Sequence, residues 1–279
     1  MLLAVFYLLL LVALLVFLVR LKRPSNDRPW KPDFACPAKA DLSGDTLTLH
    51  NVRNIRYGAP GTPFEAAWET RTYDLGTLKR LWFVVESFSD LEVLDHTLIS
   101  FEFEDDYLGF SAEARLEEGE SYDILRGIFN NFELMYTFGD ERDFILRRTN
   151  YQDHDVYLYP LIFSPAEVRA LLEDVLKEAN DLRENPAFYN SLGRNCTNLL
   201  GLHANHVRPG SFAWWQPAQA LPGLSDRLLY RKGWIDTTLP FEALREVYNV
   251  RNKAQEYGDD PDVLQKMREG LLTYRKGQG

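Results

Sequence analysis

The chain has 279 residues, of which 46% are hydrophobic and 13% aromatic, so it can bury one sizeable core. Its 31 Lys and Arg residues against 41 Asp and Glu residues give a formal charge of -10, which argues against nucleic acid as a partner. The two cysteines, Cys36 and Cys196, are too few for a disulfide framework.

An apolar segment opens the chain. Residues 1–19 carry no charge and consist mainly of Leu, Val, Phe and Ala, so they are long enough to cross a hydrocarbon core as a helix. Arg20 and Lys22 follow without a small-residue cleavage site, which favours a retained transmembrane anchor over a cleaved signal peptide. The positive-inside rule alone places these charges, and the domain after them, in the cytoplasm. Residues 20–41, with four prolines, are predicted to form a linker.

Short β-type segments follow the linker and predict a sheet. They are residues 46–52, 81–88, 97–103, 108–116, 134–138, 144–148 and 156–163.

Helices are predicted after these segments. Ser164 and Glu167 have the spacing of a capping box, and apolar residues recur behind them with helical periodicity as far as Asn185. A second helix is predicted from Asn195, and residues 241–279 form a C-terminal helical extension. Strands first and helices afterwards predict an α+β domain over residues 42–240.

Cys196 is the most informative single residue. It is predicted to lie in the first turn of a helix whose N-cap is Asn195. The positive end of the helix dipole stabilises a thiolate there, and the backbone N–H groups can bind an oxyanion. A small buried hydrophobic residue is the plainer interpretation of a lone cysteine.

A cysteine nucleophile needs an imidazole to take its proton, and the chain has five histidines. His203 is expected to cap the C-terminus of its helix, and His50 and His154 are expected to face solvent. His96 differs, because it opens the first of two alternating segments that predict a β-hairpin. With Asp105 and Asp106 as a two-residue loop, the predicted pairs are Glu104 with Tyr107, Ser100 with Ser111 and His96 with Arg115.

In this register Glu113 is the diagonal neighbour of His96, so its carboxylate can orient the imidazole and favour its charged form. Arg115, directly opposite His96, is predicted to bind an anionic group of a substrate. A solvent-facing hairpin whose polar face has no function is the alternative.

A series of motifs extends over residues 42–241. They are His50–Asn54, Trp68–Leu75, His96-Thr97 with Ser100-Phe101, Glu113–Arg115 through Gly119-Glu120, Asp140–Asp143, Arg148–Tyr151, Val156–Pro160, Phe188–Asn190 and Asn195–Thr197. In this order the motifs resemble those of the Lnb N-terminal periplasmic domain family. The sequence departs from the family pattern at Glu102, where a small residue is usual, and at Asn198, where threonine is usual.

The resemblance implies a permuted papain-like or NlpC-type thiol-enzyme fold, distantly similar to the lecithin retinol acyltransferase relatives. In that fold a histidine of an early hairpin serves a cysteine that follows an asparagine. Carried onto this chain, these positions are His96 and Cys196. With Glu113 from the predicted hairpin they form the expected catalytic group, and Arg115, Asn195 and Tyr189 are the expected substrate contacts. No cofactor and no metal is expected.

The implied activity is acyl transfer or hydrolysis through a thioester on Cys196. The expected partners are the lipid bilayer and lipoproteins or phospholipids. With residues 1–19 as the anchor, the expected protein is a single-pass protein of the bacterial inner membrane, and the resemblance places its domain in the periplasm, against the positive-inside rule. Two alternatives stay open: a cell-envelope amidase or peptidase, and a non-catalytic periplasmic binding module that uses residues 140–143 with Arg147 and Arg148 as a recognition surface.

Overall fold

A large mixed sheet dominates the computed structural model, which describes residues 5–7, 10, 21–88 and 95–276. Its strands are β1 (Lys39–Ser43), β2 (Thr46–Arg53), β3 (Trp68–Asp74), β4 (Arg80–Ser87), β5 (His96–Glu102), β6 (Tyr107–Arg115), β7 (Phe132–Asp140), β8 (Asp155–Pro160) and β9 (Phe188–Tyr189). The order is β1-β2-β7-β6-β5-β4-β8, with β3 paired to β2 and β9 paired to β7. Strands β2 and β7 run parallel, and the other pairs are antiparallel.

Helices both interrupt and follow these strands. They are α1 (Ile124–Ile128), α2 (Glu141–Leu146), α3 (Pro165–Glu184), α4 (Cys196–Val207), α5 (Pro217–Ala220), α6 (Ser225–Arg231), α7 (Phe241–Tyr248), α8 (Arg251–Glu256) and α9 (Val263–Arg268). A π-helical turn, Arg147–Tyr151, directly follows α2. Four short 3-10 segments occur within the described ranges, at Pro32–Phe34, Leu75–Thr77, Pro222–Leu224 and Leu271–Tyr274.

The long helix α3 confirms the predicted capping box. The Ser164 side chain accepts the N–H of Glu167, and the Glu167 carboxylate accepts the N–H of Ser164. The predicted apolar positions are buried, from Val168 to Leu182, and the helix stops before Asn185. Its apolar stripe therefore covers one face of the sheet and holds α4 beside it.

The hairpin of β5 and β6 has a different register from the predicted one. Tyr107 pairs with Glu102 rather than with Glu104, so the loop has four residues instead of two. Phe103 favours the longer loop, because its ring is buried and stacks on Tyr73 with the ring centroids 4.7 Å apart.

The predicted pairs of Ser100 with Ser111 and of His96 with Arg115 are wrong for the same reason, since the observed register is displaced by two positions. Because side chains alternate between the two faces of a sheet, a register shift by an even number of residues leaves each side chain on the predicted face. His96 and Glu113 therefore still share one face.

The predicted fold class, an α+β permuted papain-like or NlpC-type thiol-enzyme fold with an N-terminal transmembrane helix, is wrong. The structure is a mixed α/β fold in which α1 and α2 stand between strands and β9 follows the long helix α3. Residues 144–148, predicted as a strand, are helical. Asp140 starts this helix, because its carboxylate accepts the N–H of Arg142 at 2.8 Å.

The predicted transmembrane helix is not part of the described structure. Over residues 5–7, 10, 21–88 and 95–276, no helix combines the length and the apolar character needed to span a membrane. Most of the predicted anchor, residues 1–19, lies outside the described residues.

The segment predicted as a linker and the C-terminal extension both pack against the rest of the protein. In the segment predicted as a linker, Phe34 is buried and the Lys31 N–H donates to the carbonyl of Leu116 at 3.0 Å. In the C-terminal extension, Met267 is fully buried in the same core. These contacts leave the middle strands of the sheet covered on both faces, as the nearly complete burial of β5 shows.

Candidate active site

Cys196 is the first residue of α4, and the structure confirms the predicted N-cap. The Asn195 side chain accepts the N–H of Asn198 at 2.9 Å, and the Asn198 side chain accepts the N–H of Asn195 at 2.7 Å. This reciprocal cap fixes the start of a helix of 12 residues. The thiol is buried at the positive end of the helix dipole.

The hairpin brings a histidine and a carboxylate to this thiol. His96 and Cys196 line the same cleft and lie close enough for each to shift the pKa of the other. On β6, the Ser111 hydroxyl lies 2.8 Å and a Glu113 carboxylate oxygen 3.4 Å from His96 Nε2. The structure thus brings together the three residues predicted to be catalytic.

The three groups stabilise each other's charged forms. Burial by itself would lower the pKa of His96, but the charges of Glu113 and Cys196 raise it to about 10. Burial would raise the pKa of the Cys196 thiol, but His96 and hydrogen bonds from Thr97 lower it. Burial also opposes ionisation of Glu113, yet His96 and Arg148 hold the pKa of this carboxyl far below its ordinary value. The arrangement favours a thiolate facing an imidazolium.

A second group of charged residues, which the sequence reasoning missed, adjoins the first. Glu86 on β4 is the cross-strand partner of His96 and is buried. One of its carboxylate oxygens accepts from Arg148 Nε at 2.6 Å, and the other lies 2.7 Å from His154 Nδ1. Burial would raise the pKa of Glu86, but Arg148 and His154 lower it to about 2. Arg148 Nη2 also lies 3.6 Å from Glu113 and so joins the two groups.

The prediction that His154 faces solvent is wrong, because its side chain is only 26% exposed and is bound to Glu86. Two signals in the sequence pointed to this group. Glu86 interrupts an apolar strand, and Arg148 belongs to one of the motifs that carry the family resemblance. The wrong strand assignment of residues 144–148 obscured the second signal.

A cleft of about 340 Å³ opens onto these groups. Cys196, His96, Glu113, Glu86 and His154 all line it. Apolar side chains that also line the cleft are unusually exposed: Phe88 (42%), Tyr122 (42%), Ile124 (37%) and Leu192 (55%). The cleft therefore offers an apolar surface around a charged centre.

Arg115 lies away from the cleft. Its guanidinium is buried and donates to the carbonyls of Phe34 and Ala35, both at 2.9 Å, while lying over the ring of Trp30 at 4.0 Å. It holds the N-terminal segment against β6, and the structure does not bring it together with Cys196.

Asn195 and Tyr189 do line the cleft, but both side chains mainly contact other residues of the protein. The Asn195 amide donates to the carbonyls of Ser191 and Gln219 at 3.0 Å, in addition to capping α4. Tyr189 is buried, and its ring meets the ring of Tyr122 edge to face with the centroids 6.0 Å apart. Asn195 therefore shapes the loop before Cys196, and Tyr189 forms part of the cleft wall beside it.

One group in the described part of the chain has the residue types of a metal site: Asp174, His203 and His206. An Asp174 oxygen lies 2.6 Å from His203 Nδ1 and 2.7 Å from His206 Nδ1. Two atoms each about 2.0 Å from one tetrahedral ion are about 3.3 Å apart, so these distances are those of hydrogen bonds. His203 also bonds to Tyr136 at 2.7 Å and does not cap its helix as predicted. The group fastens α4 to α3 and β7.

Comparison with known proteins gives one match. A family model described as the Lnb N-terminal periplasmic domain matches residues 64–224, more than half of the chain and all of the charged residues at the cleft. No curated protein and no solved structure matches significantly. A relation to papain-like acyltransferases is not shown by these comparisons.

Proposed function

Since the chain belongs to the Lnb N-terminal periplasmic domain family, we propose that it is a periplasmic enzyme that transfers or hydrolyses acyl groups through a thioester on Cys196. The observation that carries the proposal is the enclosed Cys196–His96 pair with Glu113 behind the imidazole. Bringing a thiol, an imidazole and a carboxylate out of water is costly, and a cysteine with only a packing role does not require it.

The chemistry follows from these groups. The Cys196 thiolate attacks the carbonyl carbon of an ester, and the backbone N–H at the start of α4 stabilises the oxyanion that forms. The bond from carbon to the leaving oxygen then breaks, and the His96 imidazolium gives its proton to the departing alkoxide. An amine or water next attacks the thioester and gives up a proton to a base, the C–S bond breaks, and the thiolate is restored.

The cleft supports an acyl chain as part of the substrate. Phe88, Ile124 and Leu192 expose apolar surface at the cleft, where water would otherwise be in contact with them. Covering such surface with a hydrocarbon chain gains roughly 25 cal/mol per Å². Lipoprotein or phospholipid acyl groups are therefore the proposed substrates.

The test is intact-protein mass spectrometry after incubation with a diacylglyceryl lipopeptide. The wild type is expected to gain the mass of one acyl group, in an adduct that hydroxylamine removes. The Cys196→Ala and His96→Ala variants are expected to gain none, whereas Cys36→Ala, which removes the other free cysteine, should behave as the wild type. Acylation that persists in Cys196→Ala contradicts the proposal.

The same experiment separates the alternatives. A cell-envelope amidase or peptidase would cleave muropeptides and leave the lipopeptide unmodified. A non-catalytic module would react with neither, and Cys196 would show ordinary thiol reactivity. The recognition surface suggested for such a module is not an exposed one, because Asp143 and Arg148 are buried.

A further inference from the structure

Two histidine–carboxylate pairs line one cleft. His96 with Glu113 contacts the nucleophile, whereas His154 with Glu86 lies on the neighbouring part of the wall. The proposed attack of Cys196 uses only the first pair. The carboxylate of the second pair, Glu86, is buried, and it is paired with Arg148 as well as with His154.

From this second pair we infer that His154 is the base that takes the proton of the acceptor, an amine or water, when it attacks the thioester. Glu86 is then a positioning residue that acts through His154. The inference rests on the proposed function and assigns the second half of that reaction.

The two imidazoles are held differently. Ser111 and Glu113 both contact His96 Nε2, and Cys196 lines the cleft close enough to raise the pKa of this ring, so we assign His96 to the nucleophile. His154 binds Glu86 through Nδ1 at 2.7 Å. This contact leaves Nε2, across the ring, as the nitrogen that a substrate in the cleft can reach.

The orientation of His154 is fixed from two sides. Its backbone N–H donates to the carbonyl of Arg148 at 2.8 Å, while the Arg148 side chain holds Glu86 at 2.6 Å. Asp153, just before it, has a φ of 61°, and its carboxylate is held by Gln255 at 3.1 Å.

The proton balance requires a base at this stage. In the first half of the reaction His96 gives its proton to the leaving group, and it regains one from solvent because Glu113 favours its charged form. In the second half the acceptor lone pair forms the new bond to the acyl carbon, and His154 Nε2 takes the N–H or O–H proton. The C–S bond breaks and leaves the Cys196 thiolate opposite a protonated His96. His154 then returns its proton to solvent.

The experiment compares acylation with turnover in full-length variants. The donor is an N-acetylated diacylglyceryl lipopeptide and the acceptor is glycine amide, and mass spectrometry follows the acyl-enzyme and the acylated amide. His154→Gln is expected to form the acyl-enzyme at the wild-type rate but to release product at least about 100-fold more slowly, so the adduct accumulates. Added imidazole should restore part of the turnover of His154→Ala.

The matched control is His50→Gln, since His50 also pairs with a carboxylate, Asp41 at 3.0 Å, but on the surface. It should match the wild type in both steps. Unchanged turnover in His154→Gln, or an equal loss of acylation and turnover, overturns the inference while leaving the thioester proposal standing. A wild type that never forms the acyl-enzyme overturns both.

Discussion

Replacing His96 by asparagine is expected to slow alkylation of the Cys196 thiol at pH 7 by at least about 100-fold. In the wild type the imidazolium lowers the pKa of Cys196 against the effect of burial. Asparagine fills similar space but carries no charge, so the main influence that opposes burial is lost and the pKa of the thiol rises. At pH 7 the reactive thiolate then falls to about 1% or less of the total.

The pH dependence of Cys196 alkylation shows in which direction His96 shifts the pKa of the thiol. In the wild type the rate of alkylation by iodoacetamide should reach its plateau below the ordinary pKa of a thiol. The ion pair should persist until His96 loses its proton, at a pKa of about 10. In His96→Asn the whole curve should move to higher pH. The measurement is made in a Cys36→Ser background, and identical midpoints for the two proteins would exclude the ion pair.

Replacing Asp143 by alanine is expected to lower the free energy of unfolding by about 3–5 kcal/mol. Asp143 is buried and accepts from Arg53 Nη2 at 2.9 Å and from the N–H of Ile55 at 2.7 Å. Its removal leaves the equally buried Arg53 guanidinium without its counter-charge. Urea unfolding followed by circular dichroism measures the change.

The control for this change is Asp45→Ala, which breaks an exposed ion pair with Arg169 and should cost less than about 1 kcal/mol. Replacing the buried pair together, Arg53→Met with Asp143→Leu, should recover most of the lost stability. A loss for Asp143→Ala as small as that for Asp45→Ala would show that the buried carboxylate is not needed by the fold.

Periodicity predicted which face of the hairpin each residue occupies but not which residues are paired. The alternation of β5 and β6 is satisfied equally by registers that differ by two positions. The burial of Phe103 against Tyr73 decides between them, and this contact depends on β3, which the segments predicted as strands did not include.

Only those residues of the candidate site that belong to a local sequence pattern could be predicted from the sequence. The helix start at Asn195 and Cys196 has a local signature, and the family resemblance singled out His96. Glu86 and His154 are 68 positions apart, and their contact arises only because β4 and β8 are neighbours in the sheet. The periodicity of the sequence does not indicate that β4 and β8 are adjacent strands.

The separation of Cys196 from His96, 100 positions along the chain, has a consequence for how the protein is made. A nascent or translocating chain holds the cysteine without its imidazole, so its thiol behaves like any other. Reactivity is acquired only when α4 docks against β5, that is, when folding is complete. During synthesis and export Cys196 is therefore expected to have the reactivity of an ordinary thiol, and its alkylation rate should report on the fraction of chains that have folded.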